Sequence, residues 1–159
     1  MTNTFGKLFR NLSTNKINCF KYNENQNYYG FVQEVLKQGY SQCIVTSDLM
    51  IKIMEHFLLN YKVKILSIEF MNEDDELNQE IDSILELMKE NAVYWEILKS
   101  KLSFLSENDS IEMKKVEFKY LDGVGSLFSV RVNGIIVVSK HDFDKISGII
   151  AKQIEGCVK

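Results

Sequence analysis

Asp75, Asp82, Glu86 and Glu90 recur at the spacing that places four carboxylates on one side of a helix. Two of the steps, Asp82 to Glu86 and Glu86 to Glu90, are like-charge pairs at i,i+4. Each costs an isolated helix a few tenths of a kcal/mol, and only Lys89 is interleaved to relieve them. Between residues 61 and 110 acids outnumber bases more than two to one, while both flanks are slightly basic. The chemistry of such a strip is electrostatic: it steers and holds a partner with a basic surface, including a surface that otherwise holds nucleic acid. Tyr94, out of phase with the apolar residues and near Glu90, is the aromatic anchor expected beside it. A solvated helix face is the plain alternative.

A second pattern is catalytic in type. Glu117-Phe118-Lys119 sets a carboxylate and an amine two residues apart inside an apolar run, hence on one face of a strand. This resembles the metal site of restriction-type nucleases, where carboxylates hold Mg²⁺ and a lysine positions water or stabilises charge. The resemblance implies a metal-dependent nuclease using Glu117 and Lys119, with Asp109 the nearest upstream acid. Glu112-Met113-Lys114 repeats the pattern nearby, and alternating charge on the wet face of a strand accounts for both.

His56, His141, Cys19, Cys43 and Cys157 are the only histidines and cysteines. None shows zinc-ligand spacing, so no metal or cofactor is implied. There is no nucleophile-elbow sequence. Three widely spaced cysteines suit free thiols in a reducing cytoplasm better than a disulfide framework. Tyr22, Tyr28 and Tyr29 with Lys21 form a small aromatic and basic cluster that could stack on bases. A formal net charge of −3 supplies no general attraction to nucleic acid, so direct binding is not expected. No run is long and apolar enough to span a membrane, and no secretory leader is visible. The absence of proline and the abundance of Asn, Ile and Lys suggest an AT-rich coding sequence of bacterial or phage origin.

These residues need elements to hold them. The 159 residues suit one globular domain. Residues 112–139 predict an antiparallel meander, closed by an amphipathic helix through Phe143, Ile146, Ile150 and Ile154 that Ser139 caps. Asn133-Gly134 predicts a two-residue type I′ loop. That loop pairs Val132 with Ile135, Val130 with Val137 and Phe128 with Ser139. It turns Phe128, Val130, Val132, Ile135 and Val137 to the core, and Leu127, Ser129, Arg131, Ile136 and Val138 to the other face. Asp122 to Ser126 forms the turn before it.

Upstream, strands are expected at 16–22, 41–46 and 62–70, and helices at 28–38 and 49–60. A long helix capped by Asn72 is expected over 74–104, with a break near Asn91 as the alternative. Phe5, Leu8, Phe9 and Leu12 share a helical face, so residues 1–12 read as a docking helix or a mobile tail. The fold class is α+β, with helices mainly on one face of the sheet. The expected function is a non-enzymatic cytoplasmic interaction protein of the inhibitor, immunity or regulatory type. The alternatives are the nuclease and a structural subunit of a homo-oligomer, whose apolar helix at 49–60 and mixed sheet face self-association would cover.

Overall fold

Among the described residues, alternation of apolar and polar residues over short runs builds seven strands, and apolar recurrence at three and four residues builds five α-helices, the fourth running into a π-helical turn at Leu105–Asp109. The computed structural model describes residues 3–109, 111–121 and 125–157. In chain order these are β1 (Asn3–Asn11), β2 (Ile17–Tyr22), α1 (Tyr28–Lys37), β3 (Tyr40–Gln42), α2 (Ser47–Asn60), β4 (Val63–Phe70) and α3 (Asp75–Glu90). They continue with α4 (Tyr94–Phe104), β5 (Met113–Tyr120), β6 (Leu127–Arg131), β7 (Ile135–Ser139) and α5 (Phe143–Cys157). The strands form one antiparallel sheet in the order β2-β1-β7-β6-β5-β4, with β3 also paired to β1. The fold is α+β, and the 112–139 meander is β5-β6-β7.

The main core lies between one face of this sheet and the helices α2, α3, α4 and α5. Leu8, Ile65, Val116, Phe118, Phe128, Val130, Ile136 and Val138 supply the sheet side. Phe57 of α2 is fully buried against Phe118 and Phe128, whose rings stack at 4.8 Å. The nearly all-apolar helix at 49–60 is therefore the central core helix, and its buried residues include Met50, Ile51, Ile53 and Met54. A smaller cluster of Phe9, Val32 and Val35 places α1 over the opposite face at the β1–β2 end.

Several expectations are corrected, among them the strand expected at 41–46, which is β3 at Tyr40–Gln42 with residues 43–45 past its end. Residues 3–11 are a strand between β2 and β7, neither a docking helix nor a tail. The helical face of Phe5, Leu8, Phe9 and Leu12 dissolves in a period of two: Leu8 enters the main core and Phe9 the smaller one. The long helix is two, broken at Asn91 as the alternative reading has it. Asn91 ends α3, its side chain accepts from Val93 N at 3.0 Å, and α4 starts at Tyr94. The cap of α3 is Asp74, which accepts from Leu77 N at 3.1 Å, in place of Asn72. The cap predicted at Ser139 is also revised: α5 begins at Phe143, and the Ser139 hydroxyl donates to Ser126 Oγ at 3.2 Å.

The hairpin register differs by one residue. Phe128 pairs with Val138, Ser129 with Val137 and Val130 with Ile136. The loop is three residues, Val132-Asn133-Gly134, with Gly134 at φ 81° and its N–H donating to the Arg131 carbonyl at 3.0 Å. The slip moves Ile136 and Val138 onto the core face with Phe128 and Val130, and Val137 to the other. Neighbouring chain holds it there. Leu8 N donates to the Gly134 carbonyl at 2.9 Å and Val45 N to the Val132 carbonyl at 2.8 Å. The turn expected at Asp122–Ser126 lies, for residues 122–124, outside the described residues.

Candidate interaction surface

Helix α3 turns Leu77, Ile81 and Leu85 into the core, so its acidic side is forced outward. Glu80 leans the other way, to Lys101 of α4 at 3.2 Å. On the side facing β4, Asp75, Asn78 and Asp82 line a groove of about 550 Å³, whose other wall is the Ser67–Met71 stretch with Asn72, Glu73 and Lys114. Glu69 in this groove is neutralised by Lys114 at 3.3 Å and Lys115 at 3.7 Å. Glu73, Asp75 and Asp82 are exposed and meet no cation within ion-pair distance among the described residues. Asp75 also favours the first turn of α3, where the positive end of the helix dipole lies.

The remaining members of the predicted strip separate. Glu86 pairs with Lys89 at 2.7 Å, which relieves the like-charge steps on either side of it. Glu90 is exposed in the last turn of α3. Tyr94, half-buried, begins α4 after the break, so it does not continue the face of α3. The acidic surface is thus Asp75, Asp82, Glu86 and Glu90 on α3, extended by Glu73. Glu73 belongs to an acidic run visible in the sequence. Its place beside β4 was not visible, because it depends on which strand α3 packs against.

At the other end of β4, residues of α2, α3 and α4 enclose with it a mostly apolar groove of about 200 Å³. Leu58, Leu59, Val63, Ile65, Leu85, Met88, Ala92 and Trp95 line it, together with Lys64 and Lys89. Above it, Glu55 of α2 accepts from Lys99 Nζ at 2.6 Å and from Trp95 Nε1 at 3.0 Å. These two hydrogen bonds hold the Glu55 carboxyl below the usual carboxylate range and tie α2 to α4.

Glu117 lies on the sheet face away from the main core, 3.9 Å from Lys115 and opposite Ser129 of β6. Among the described residues no three His, Cys, Asp or Glu side chains come close enough to hold a metal ion. The side chain of Asp109, the acid the nuclease reading would recruit, lies outside the described residues. His56 Nδ1 is 3.2 Å from Asn60 Nδ2, and His141 is exposed. Cys19 and Cys43 are free thiols. Burial pushes Cys19 up to about 12, so its thiol is protonated and unreactive at neutral pH.

The aromatic cluster is spent internally. Tyr22 stacks on Phe31 at 4.9 Å and meets Tyr28 edge-on at 5.6 Å, while Lys21 reaches Asp144 at 3.7 Å. Only Tyr29 of the three tyrosines stands well clear of the surface. Beside this cluster is Lys7, 1% exposed, whose ammonium donates to the Asn133 carbonyl and lies 5.8 Å from the Phe9 ring and 5.9 Å from that of Tyr28. Burial lowers its pKa, partly offset by the Cys43 thiol. No sequence signal marked Lys7, since a helix at 1–12 would have left it in water.

No helix among the described residues is long and apolar enough to cross a membrane. Comparison with protein-family models, with curated proteins and with solved structures finds no match.

Proposed function

We propose that this protein is a non-enzymatic interaction protein of the inhibitor, immunity or regulatory type, acting in the cytoplasm by docking the acidic side of α3 on a basic protein partner. One observation carries the reading. Asp75, Asp82 and Glu73 stand exposed around a single groove with no cation within ion-pair distance among the described residues. Exposed carboxylates gathered around one groove sum to a negative field, and a cationic partner gains steering from it. Asp75, Asp82, Glu86 and Glu90 provide the field; Tyr94, displaced onto α4, contributes at the margin.

The test is reversal of two of the charges. Asp82→Lys with Glu90→Lys replaces no residue on the buried side of α3 and keeps Glu86 among cations. A partner captured stoichiometrically from host lysate at low salt should associate about tenfold or more slowly with the double variant. The circular dichroism of the variant should match the wild type. Equal association rates for the two proteins would refute the docking surface.

A further inference from the structure

The acidic groove has an unusual floor. β4 closes one end of the sheet, and among the described residues it pairs with β5 alone. Its other edge therefore presents backbone N–H and C=O groups with no strand to receive them, the standing template for strand addition. A register shift between Ile65 and Ser67 interrupts the ladder, a device that blunts an exposed edge. Beyond it, Ser67, Ile68 and Glu69 pair regularly with Glu117, Val116 and Lys115; a second shift, between Glu69 and Phe70, skips Lys114 on the β5 side and leaves β4 itself continuous to Phe70. This regular part of β4 is the part that lines the acidic groove.

We propose that the Ser67–Phe70 edge of β4 accepts an extended, basic segment of a protein partner as an added strand, with Asp75 and Asp82 receiving its cationic side chains. The inference rests on the acidic docking reading above and names its partner class and geometry.

Three features select that occupant. Asp75 and Asp82 are two helical turns apart, about 10 Å along α3. Side chains on one face of a strand, two or four residues apart, lie about 7 to 13 Å apart and bracket that distance. Second, Glu69 already has Lys114 and Lys115, so the charge left over belongs to Asp75 and Asp82 on the wall the added strand would face, and to Glu73 beside β4. Third, the groove at Val63 and Ile65, walled by Leu59, Met88 and Ala92 and also lined by Lys64 and Lys89, lies farther along β4; its two lysines disfavour a cation there, so it suits one apolar side chain of the segment. The same carboxylates repel phosphate, which sets a nucleic-acid strand against this edge.

The experiment uses the full chain and a fluorescent peptide of alternating Lys and Val, eight residues long like β4, with binding read by fluorescence anisotropy. A second peptide carries N-methyl groups on alternate backbone amides, which keeps every charge and removes the ladder donors. Amide hydrogen exchange follows β4 directly. The unmodified peptide should bind and slow exchange at Ser67–Phe70. N-methylation, and separately the near-isosteric Asp75→Asn with Asp82→Asn, should each weaken binding about tenfold or more. Equal binding of the two peptides, or unchanged exchange in β4, would overturn strand addition while leaving charge docking by α3 in place. Undiminished binding by the asparagine variant would overturn the role given to Asp75 and Asp82, and the docking reading with it. No binding of the unmodified peptide would also overturn strand addition; the charge-reversal experiment would still decide the docking surface.

Discussion

Lys7 shows how one residue's surroundings set a measurable property of the whole chain. Its amine is buried beside two aromatic rings and donates to one backbone carbonyl. In the folded protein its pKa falls below 10.5; in the unfolded chain it returns to that value. Between the two pKa values the unfolded chain binds more protons, so this residue makes stability rise with pH through a window that ends at 10.5. Below that window the buried charge is a steady cost. Lys7→Met removes the titration and strands the Asn133 carbonyl. Urea denaturation of both proteins from neutral pH upward should show the wild type gaining on the variant as pH approaches 10.5. Parallel profiles would mean that the folded and unfolded states hold this proton equally. The same scale explains why the acidic strip was legible: Asp75, Asp82, Glu86 and Glu90 project outward whatever α3 packs against, because Leu77, Ile81 and Leu85 must go in.

At the scale of elements, periodicity identified most helices and strands, and two local decisions escaped it. Asn-Gly is compatible with a two-residue loop and with a three-residue loop ending in a left-handed glycine. The longer loop wins here because β1 and the Cys43–Val45 stretch bond to Val132 and Gly134. Those partners are about ninety or more residues away in sequence, beyond any local rule. Gly134 is also pinned sterically: a Cβ there would collide with the Cys43 carbonyl oxygen, and φ is 81°. Gly134→Ala should cost about 1–3 kcal/mol, read from the urea midpoint at constant slope. An unshifted midpoint would contradict this loop. The break at Asn91 is similar in kind. Trp95, Leu98 and Leu102 keep their apolar phase and are buried, so the pattern continues through a point where the backbone does not.

For the molecule as a whole, the weight of stability sits where α2 meets the sheet. Phe57 is fully buried against Phe118 and Phe128, whose rings stack nearly parallel on each other. Phe57→Ala leaves a cavity that this paired stack cannot collapse to fill, and should cost about 3–5 kcal/mol. Leu59, two residues on and 71% exposed, should change stability by less than about 0.5 kcal/mol when replaced by Ala. Comparable losses for the two variants, measured by calorimetry, would move the core away from α2.

Taken alone, the order of residues determined the fold class, the meander, the amphipathic closing helix and the acidic side of α3. Each is written in periods of two or of three and four residues, and burial energy enforces such periods whatever the neighbours are. Tertiary structure decided the rest. It drew residues 3–11 into the sheet as β1, because a strand there buries Leu8 on one face and Phe9 on the other. It shifted the hairpin by one residue, and it left β4 at the edge with α3 beside it. Those outcomes depend on pairings between distant segments. Their free energy comes from contacts that local sequence does not encode, so the groove between β4 and α3 exists only once the chain has folded.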